Sequence, residues 1–353
     1  MASQQQTTPP AAAADGAQPI EVVELSAEQE RAVRCGAALV DRSSRGKLAL
    51  SGDAAAECLA GQVTQDVARI EPGCGAYATF LTTKGQMLGD VRIVRTADTF
   101  ELDTERESLQ ALFDMLRAGV LGHDAELHKR TLQRGLLSLI GPRAKVIAQV
   151  EDLGTCEFKN APFTVDGVAA HVIVTDVGVD VLCAHEDLAQ ITASLRARGA
   201  VTISDVEADV VRIERGRPRY GVELGPRSMP QEAGLNERAV SFTKGCYVGQ
   251  ETVARLFYRG SPNRLLRGLR FAQPPAGDGT VLVDGRTVGQ VRRVAASPRV
   301  GMVALALVRR EVEPGTTVQC GGAEAVVVEL PFVRDERALA CCQDANPAPT
   351  PDA

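Results

Sequence analysis

The sequence predicts an α+β protein that ends in a small all-β domain, and three observations carry the prediction. Strand-like pairs alternate with helical stretches over the first two thirds of the chain, the pattern of antiparallel sheets covered on one face by helices. From about residue 265 the texture changes to short strands punctuated by glycines, a barrel or sandwich of about 65 to 70 residues. The length, 353 residues, exceeds what a single core usually supports, so two or three domains are expected.

The elements follow in order. Ser26 with Gln29 three residues on is a capping box, opening a helix that the apolar spacing extends to Val40. Residues 47–50 alternate as a strand, Ser51-Gly52-Asp53 turns, and 54–60 form a short helix. Strands at 76–81 and 87–94 flank the turn Thr83-Lys84-Gly85-Gln86 as a hairpin, with a third strand at 100–103. A helix covers 108–118, and two strands occupy 126–140. Gly141-Pro142 opens a helix to about Val150; strands at 169–174 and 180–183 precede a helix over 186–198. Ser204 and Glu207 make a second capping box. Val206, Val210 and Ile213 form its apolar stripe, and Gly216 is the stop. The final domain has strands at 267–271, 280–283, 288–294, 303–308 and 316–320. The expected division is a disordered tail over 1–19, two interleaved α+β subdomains over 20–264, a β-barrel over 265–335 and a disordered tail over 336–353.

Composition narrows the function. Aromatics are only 4% and Trp is absent, so the core is built from Val, Leu, Ala and Ile. A net charge of −6 argues against a direct nucleic-acid binder. No apolar run reaches the roughly 18 to 20 residues that cross a bilayer, so no membrane role is expected. Residues 1–18 have neither a basic start nor an apolar core and lack Arg, so a cytoplasmic location is expected. The nine cysteines are scattered, with no C-x-x-C, and only four His are present. A protein-only metal site is therefore not expected.

The segment Lys244-Gly245-Cys246-Tyr247-Val248-Gly249-Gln250-Glu251 is the most unusual in the chain. A thiol acts as nucleophile or ligand only as thiolate, which nearby cations favour. Lys244 is one candidate cation, and the start of a helix over 250–257 is a second source of positive potential. The alternative is that Cys246 is one more small buried residue. Between Lys244 and Arg267 there are five basic residues and one acid, a local +4 that leaves −10 for the rest of the chain. Arg212, Arg215, Arg217 and Arg219 lie just upstream. This zone suits a small anionic ligand, or is a solvated basic face. Glu214 follows Val206 and Val210 at a spacing of four and so leaves its helix on the apolar face. It needs a partner there: an internal Arg, or a ligand with two adjacent N–H donors such as a pterin edge. Asp90 lies in a strand, where Asp is disfavoured; it is either an edge charge or a functional acid.

These residues resemble a known family. The string 244–251 is similar to the signature of the YgfZ-type folate-binding proteins and their mitochondrial iron–sulfur assembly counterparts, within the GcvT aminomethyltransferase superfamily. Residues 59–67, 75–92 and 212–224, with Gly285 and Gly289, agree over about 20–335. The resemblance implies a three-domain cloverleaf around a folate cavity, with the C-terminal β-barrel as its third part. It implies tetrahydrofolate as cofactor and iron–sulfur client or assembly proteins as partners. A transient iron–sulfur cluster shared with such a partner is a further implication, since one cysteine cannot supply the four ligands a cluster usually needs. By position, Glu214 takes the pterin, Asp90 lies near the reacting folate nitrogen, and Cys246 is the functional thiol. Cys246, Lys244 and Asp90 are thus the candidate catalytic residues. Glu214, Arg212, Tyr247, Gln250 and Arg255 are the candidate cofactor-binding residues.

Three readings result: an accessory factor for iron–sulfur assembly or repair acting through Cys246; a tetrahydrofolate-dependent aminomethyltransferase or demethylase using Asp90; or a non-catalytic folate-binding module. The first is the leading expectation and the second its alternative. The aminomethyltransferases carry no cysteine at the Cys246 motif.

Overall fold

The structure, a computed structural model, describes residues 19–334. The two expected tails therefore lie outside the described residues, Pro19 apart.

The chain begins with β1 (Glu21–Glu24) and α1 (Ala27–Cys35). The first capping box forms as expected: Gln29 N–H donates to Ser26 Oγ, and Ser26 N–H to Gln29 Oε1 at 2.8 Å. The helix stops at Cys35 rather than Val40, and Ala38–Asp41 is strand β2. A short apolar run fits either structure, and pairing with a neighbouring strand decided this one.

β3 (Gly46–Ser51), α2 (Ala55–Ala60), β4 (Cys74–Leu81), β5 (Met87–Arg95), β6 (Thr99–Thr104), α3 (Leu109–Gly119) and β7 (Glu126–Lys129) build the first layered unit. Its sheet has the order β4-β5-β6-β3-β7. Leu48, Leu50, Phe80, Val91, Ile93 and Leu102 pack against Leu59, Leu112 and Leu116 of the two helices. Side chains alternate across a strand, so the opposite face carries Lys47, Tyr77, Asp90, Arg92 and Asp103.

β8 (Arg134–Ile140), α4 (Ala144–Ala148), β9 (Asn160–Val165), β10 (Val168–Thr175), β11 (Gly178–Ala184), α5 (Leu188–Ala197) and β12 (Val201–Thr202) build the second unit. Its sheet runs β12-β2-β8-β11-β10-β9. Leu137, Leu139, Val179 and Val181 pack beneath Ile191 and Leu195, which leaves the cross-strand pair Ser138 and Asp180 on the other face. Strand β9 had no clear sequence signal, because its sheet position is an edge and its burial alternates only weakly.

The second capping box also forms, Glu207 N–H to Ser204 Oγ at 3.1 Å and Ser204 N–H to Glu207 Oε2 at 2.7 Å. Helix α6 (Asp209–Glu214) follows, and Gly216 closes it at φ +66°. Val210 and Ile213 are buried, whereas Val206 lies in the preceding turn and is exposed. Short α7 (Asn236–Ala239) and α8 (Gln250–Arg259) complete this region.

The C-terminal strands are β13 (Arg264–Phe271), β14 (Thr280–Val283), β15 (Arg286–Gln290), β16 (Arg293–Ser297), β17 (Gly301–Arg309), β18 (Thr317–Cys320) and β19 (Ala323–Val328). Six of them close a barrel in the order β13-β17-β15-β14-β18-β19, and β16 joins β17 outside that ring. The single strand expected at 288–294 is divided between β15 and β16, and β19 is an addition. β1 pairs in parallel with β16, so the start of the chain extends the sheet at its end.

Candidate active site

The polar faces of the two sheets meet at a cavity that residues 205–219 and Arg238 help to close. Its volume is about 170 Å³, and it opens to solvent. Eight arginines and seven acids line it, together with Tyr77, Ser138 and Phe158. So many charges survive partial burial because they are paired. Arg45 binds Asp103 and Glu105; Arg92 binds Asp103 and Asp180; Arg219 reaches Glu105 at 3.0 Å and Asp205 at 2.7 Å. Arg212 grips Asp209 at 2.7 Å and Glu223 at 2.8 Å.

Asp90 is the exception. Six of the seven cavity acids have an arginine within ion-pair distance; Asp90 has none. It is 5% exposed, and its carboxylate accepts one hydrogen bond, from the Tyr77 hydroxyl to Oδ2 at 2.8 Å. Thr104 fixes the backbone by donating to the Asp90 carbonyl. Burial raises its carboxyl to about 6 and Glu105 adds to the rise, against Arg45 and Tyr77. Burial, then Asp90, pushes the Tyr77 phenol well above its usual range, so it remains a donor. The Arg238 guanidinium lies over the Tyr77 ring at 4.8 Å and is bound to Glu157. An acid titrating near neutrality, with one oxygen free of hydrogen bonds, suits proton transfer.

Of the candidate residues, Asp90 and Arg212 line this cavity. Arg212 is committed to Asp209, Glu223 and the Arg217 carbonyl, so it builds the wall. Glu214 does not line the cavity with Asp90, contrary to expectation. Its Oε1 accepts from Ser297 Oγ and its Oε2 lies 3.7 Å from Arg299, both belonging to the barrel domain. The buried carboxylate took the internal-partner alternative. Lys244 is held by backbone carbonyls. Its Nζ donates to the carbonyls of Ala60 at 2.6 Å, Val63 at 2.8 Å and Gln65 at 3.0 Å, at the end of α2. Cys246 is exposed, which removes the buried-thiol alternative. Tyr247 is buried in the central core with Lys244 Nζ 5.1 Å from its ring, Gln250 is half-buried at the start of α8, and Arg255 is exposed. None of these four lines the cavity.

The sequence reading missed Tyr77, Ser138, Asp180 and Arg238, and named Arg217 only as part of the basic zone. Asp180 was findable: it is an acid in a strand otherwise made of Gly, Val, Leu, Cys and Ala, the same signal that singled out Asp90.

The chain matches the family described as "GCVT N-terminal domain" over residues 17–244 and that described as "Glycine cleavage T-protein C-terminal barrel domain" over residues 264–334. It therefore belongs to the GcvT family, and its fold, with the closed six-stranded barrel, is of that type. It is 28% identical over 335 residues to an aminomethyltransferase of Streptomyces coelicolor, covering 88% of this chain and 90% of the relative. A chloroplastic protein of Arabidopsis thaliana, named as a transferase, is 29% identical over 314 residues, 84% of this chain and 72% of that one. The crystal structure of the glycine cleavage aminomethyltransferase from Bartonella henselae superposes with a TM-score of 0.76 at 24% identity, over 87% of this chain and 89% of that one.

Proposed function

We propose that the protein is a tetrahydrofolate-dependent aminomethyl or one-carbon transferase whose proton-transfer group is Asp90. The observation that carries this is the ion-pair-free, buried Asp90 carboxyl, held by Tyr77 in a cavity shared by both sheets. The lining fits a reduced pterin. Tyr77 and Phe158 offer apolar ring surface, Asp180 is a buried acceptor for N–H groups, and the buried Ser138 Oγ has no partner. Bound tetrahydrofolate would supply amine nitrogens that carry a one-carbon unit. At neutral pH most Asp90 is ionised and its free oxygen can take a proton from an amine placed there. Tyr77 keeps the carboxylate oriented and favours its charged form. The relatives named aminomethyltransferase support the same reading.

The test is anaerobic calorimetry with tetrahydrofolate, paired with an assay of transfer from an aminomethyl donor. Asp90→Asn should keep binding and lose roughly 100-fold or more in transfer rate. Undiminished transfer in Asp90→Asn, or no binding by the wild type, would refute the proposal.

A second reading, a folate-dependent accessory factor for iron–sulfur proteins, draws on the exposure of Cys246 outside the cavity. A thiol so placed is available to a partner protein's surface. Under this reading Cys246→Ser abolishes support of cluster-dependent enzymes and leaves folate affinity unchanged; full complementation by Cys246→Ser removes it.

A further inference from the structure

Aromatic side chains are scarce in this chain, at nine Phe and four Tyr. Among the described residues two of them are exposed, Phe257 and Tyr258, and they are neighbours near the end of α8. Phe257 stacks on Phe242 with ring centroids 3.8 Å apart, and Tyr258 meets Phe257 edge-on at 5.0 Å. Val253 is the one buried residue of α8, so the helix gives a narrow face to the core and turns its aromatic end outward. An exposed apolar cluster of this kind marks a contact surface. The cations beside it differ from those of the cavity. Arg255 and Arg259 lie one turn apart on α8, both exposed, and among the described residues neither has a carboxylate within ion-pair distance. The tip of the β4–β5 hairpin packs on the first turn of α8, where a Cβ on Gly85 would meet Thr252 at 3.0 Å. Lys84 stands exposed at that tip, likewise without an ion pair among the described residues. Glu251 is the only acid of the helix. Exposed Cys246 belongs to the same surface: it follows Phe242 by four residues, so their Cα atoms are at most about 14 Å apart. A standard interface, about 800 Å² on each partner, covers that span. None of these residues lines the cavity.

We infer that α8, with the segment 242–246 before it, is the docking surface for an acidic protein partner. The partner seats an apolar side chain on the aromatic cluster and its carboxylates on Arg255, Arg259 and Lys84. The inference rests on the reading in which Cys246 faces a partner, and it gives that partner a chemistry. Aromatic and arginine side chains dominate binding energy because they cover a large area or make strong paired contacts at low cost in entropy. Charge adds selectivity: the chain carries −6 overall, so an acidic partner is repelled elsewhere and confined to the unpaired cations. A single-stranded nucleic acid suits this surface less well. Its bases need open ring faces to stack on, and Phe242 and Phe257 close their faces on each other.

The experiment is fluorescence anisotropy on the full chain with three labelled probes. They are an amphipathic peptide of Glu and Leu, the same peptide with Lys in place of Glu, and an oligothymidylate. The wild type should bind the acidic peptide about tenfold or more tightly than either of the others. Tyr258→Ala should weaken that binding about tenfold, and so should Arg255→Glu combined with Arg259→Glu. Melting temperatures should stay unchanged, because all three side chains are exposed. Cys246→Ser should bind the peptide like the wild type. Failure of the thiol's role thus shows as complementation by Cys246→Ser, and failure of the docking surface as peptide binding that ignores the α8 substitutions. In cells, benzoylphenylalanine placed at Tyr258 should cross-link to an acidic protein, and the adduct should disappear with the double charge reversal. Preference for the basic peptide or the oligothymidylate, undiminished binding after the charge reversal, or an adduct of twice the chain's own mass overturns the inference.

Discussion

Asp90 gives up its hydration and gains only a tyrosine hydroxyl in return. Its carboxyl titrates at about 6, against roughly 3.9 in an unfolded chain. Between those values the folded state binds more protons, so its contribution to stability falls as pH rises from about 4 to about 6. At pH 7 the ionised group costs on the order of 3 kcal/mol. Asp90→Asn should therefore be more stable than the wild type by about 1 to 3 kcal/mol at pH 7, and no more stable below about pH 4. Urea unfolding at the two pH values checks this. A pH-independent difference would mean that Asp90 does not titrate as its surroundings imply. The instability belongs to the chemistry: a carboxylate paired with arginine would be permanently charged and a poor proton carrier.

The segment around Cys246 shows how one motif divides its work between neighbouring side chains. Lys244 anchors the loop to the carbonyls at the end of α2, and Val248 N–H adds a bond to the Gly61 carbonyl. Burial pushes the Lys244 ammonium down to about 8, yet three acceptors engage all three of its protons, so the seat suits the charged form. Gly249 opens α8 at φ +84°, where a Cβ would meet the Thr82 carbonyl at 2.5 Å. Lys244→Met should cost roughly 2 to 3 kcal/mol, because three carbonyls lose their donor. Cys246→Ser, at an exposed thiol, should stay within about 0.5 kcal/mol of wild type. Thermal melts of the two variants make the comparison. A neutral Lys244→Met would show that the three carbonyls do not depend on this donor.

At the scale of the molecule, the barrel is tied to the rest of the chain by its own N-terminus. Val23 of β1 is buried with Val210 and Ile213 of α6 and with Ala295, Val303 and Leu305 of the C-terminal sheet. Arg293 adds ion pairs to Glu21 and to Asp209 of α6. Deleting residues 1–24 removes the parallel ladder to β16 and the Val23 contact. It should destabilise the protein by about 2 kcal/mol or more, read from the denaturant midpoint; an unchanged midpoint would show β1 to be dispensable. No described helix is long and apolar enough to cross a membrane.

Much of this architecture was legible in the sequence. Both capping boxes, the 76–94 hairpin, the start of the barrel and the family resemblance depend on local chemistry, and local chemistry is written in adjacent residues. Asp90 stood out for the same reason, as an acid in a strand, where Asp is disfavoured. Only the tertiary structure decided which side chains share the cavity. A period of two places Asp90, Tyr77 and Asp180 on one face of their strands but does not say what that face meets. Equally, a buried carboxylate announces that it needs a partner without naming one: Glu214 found Ser297 and Arg299 of the barrel domain, whereas Asp90 was left without a cation. The Lys244–Glu251 string carried a resemblance, yet long-range packing placed its lysine under a helix end and its thiol at the surface, away from the cavity lining.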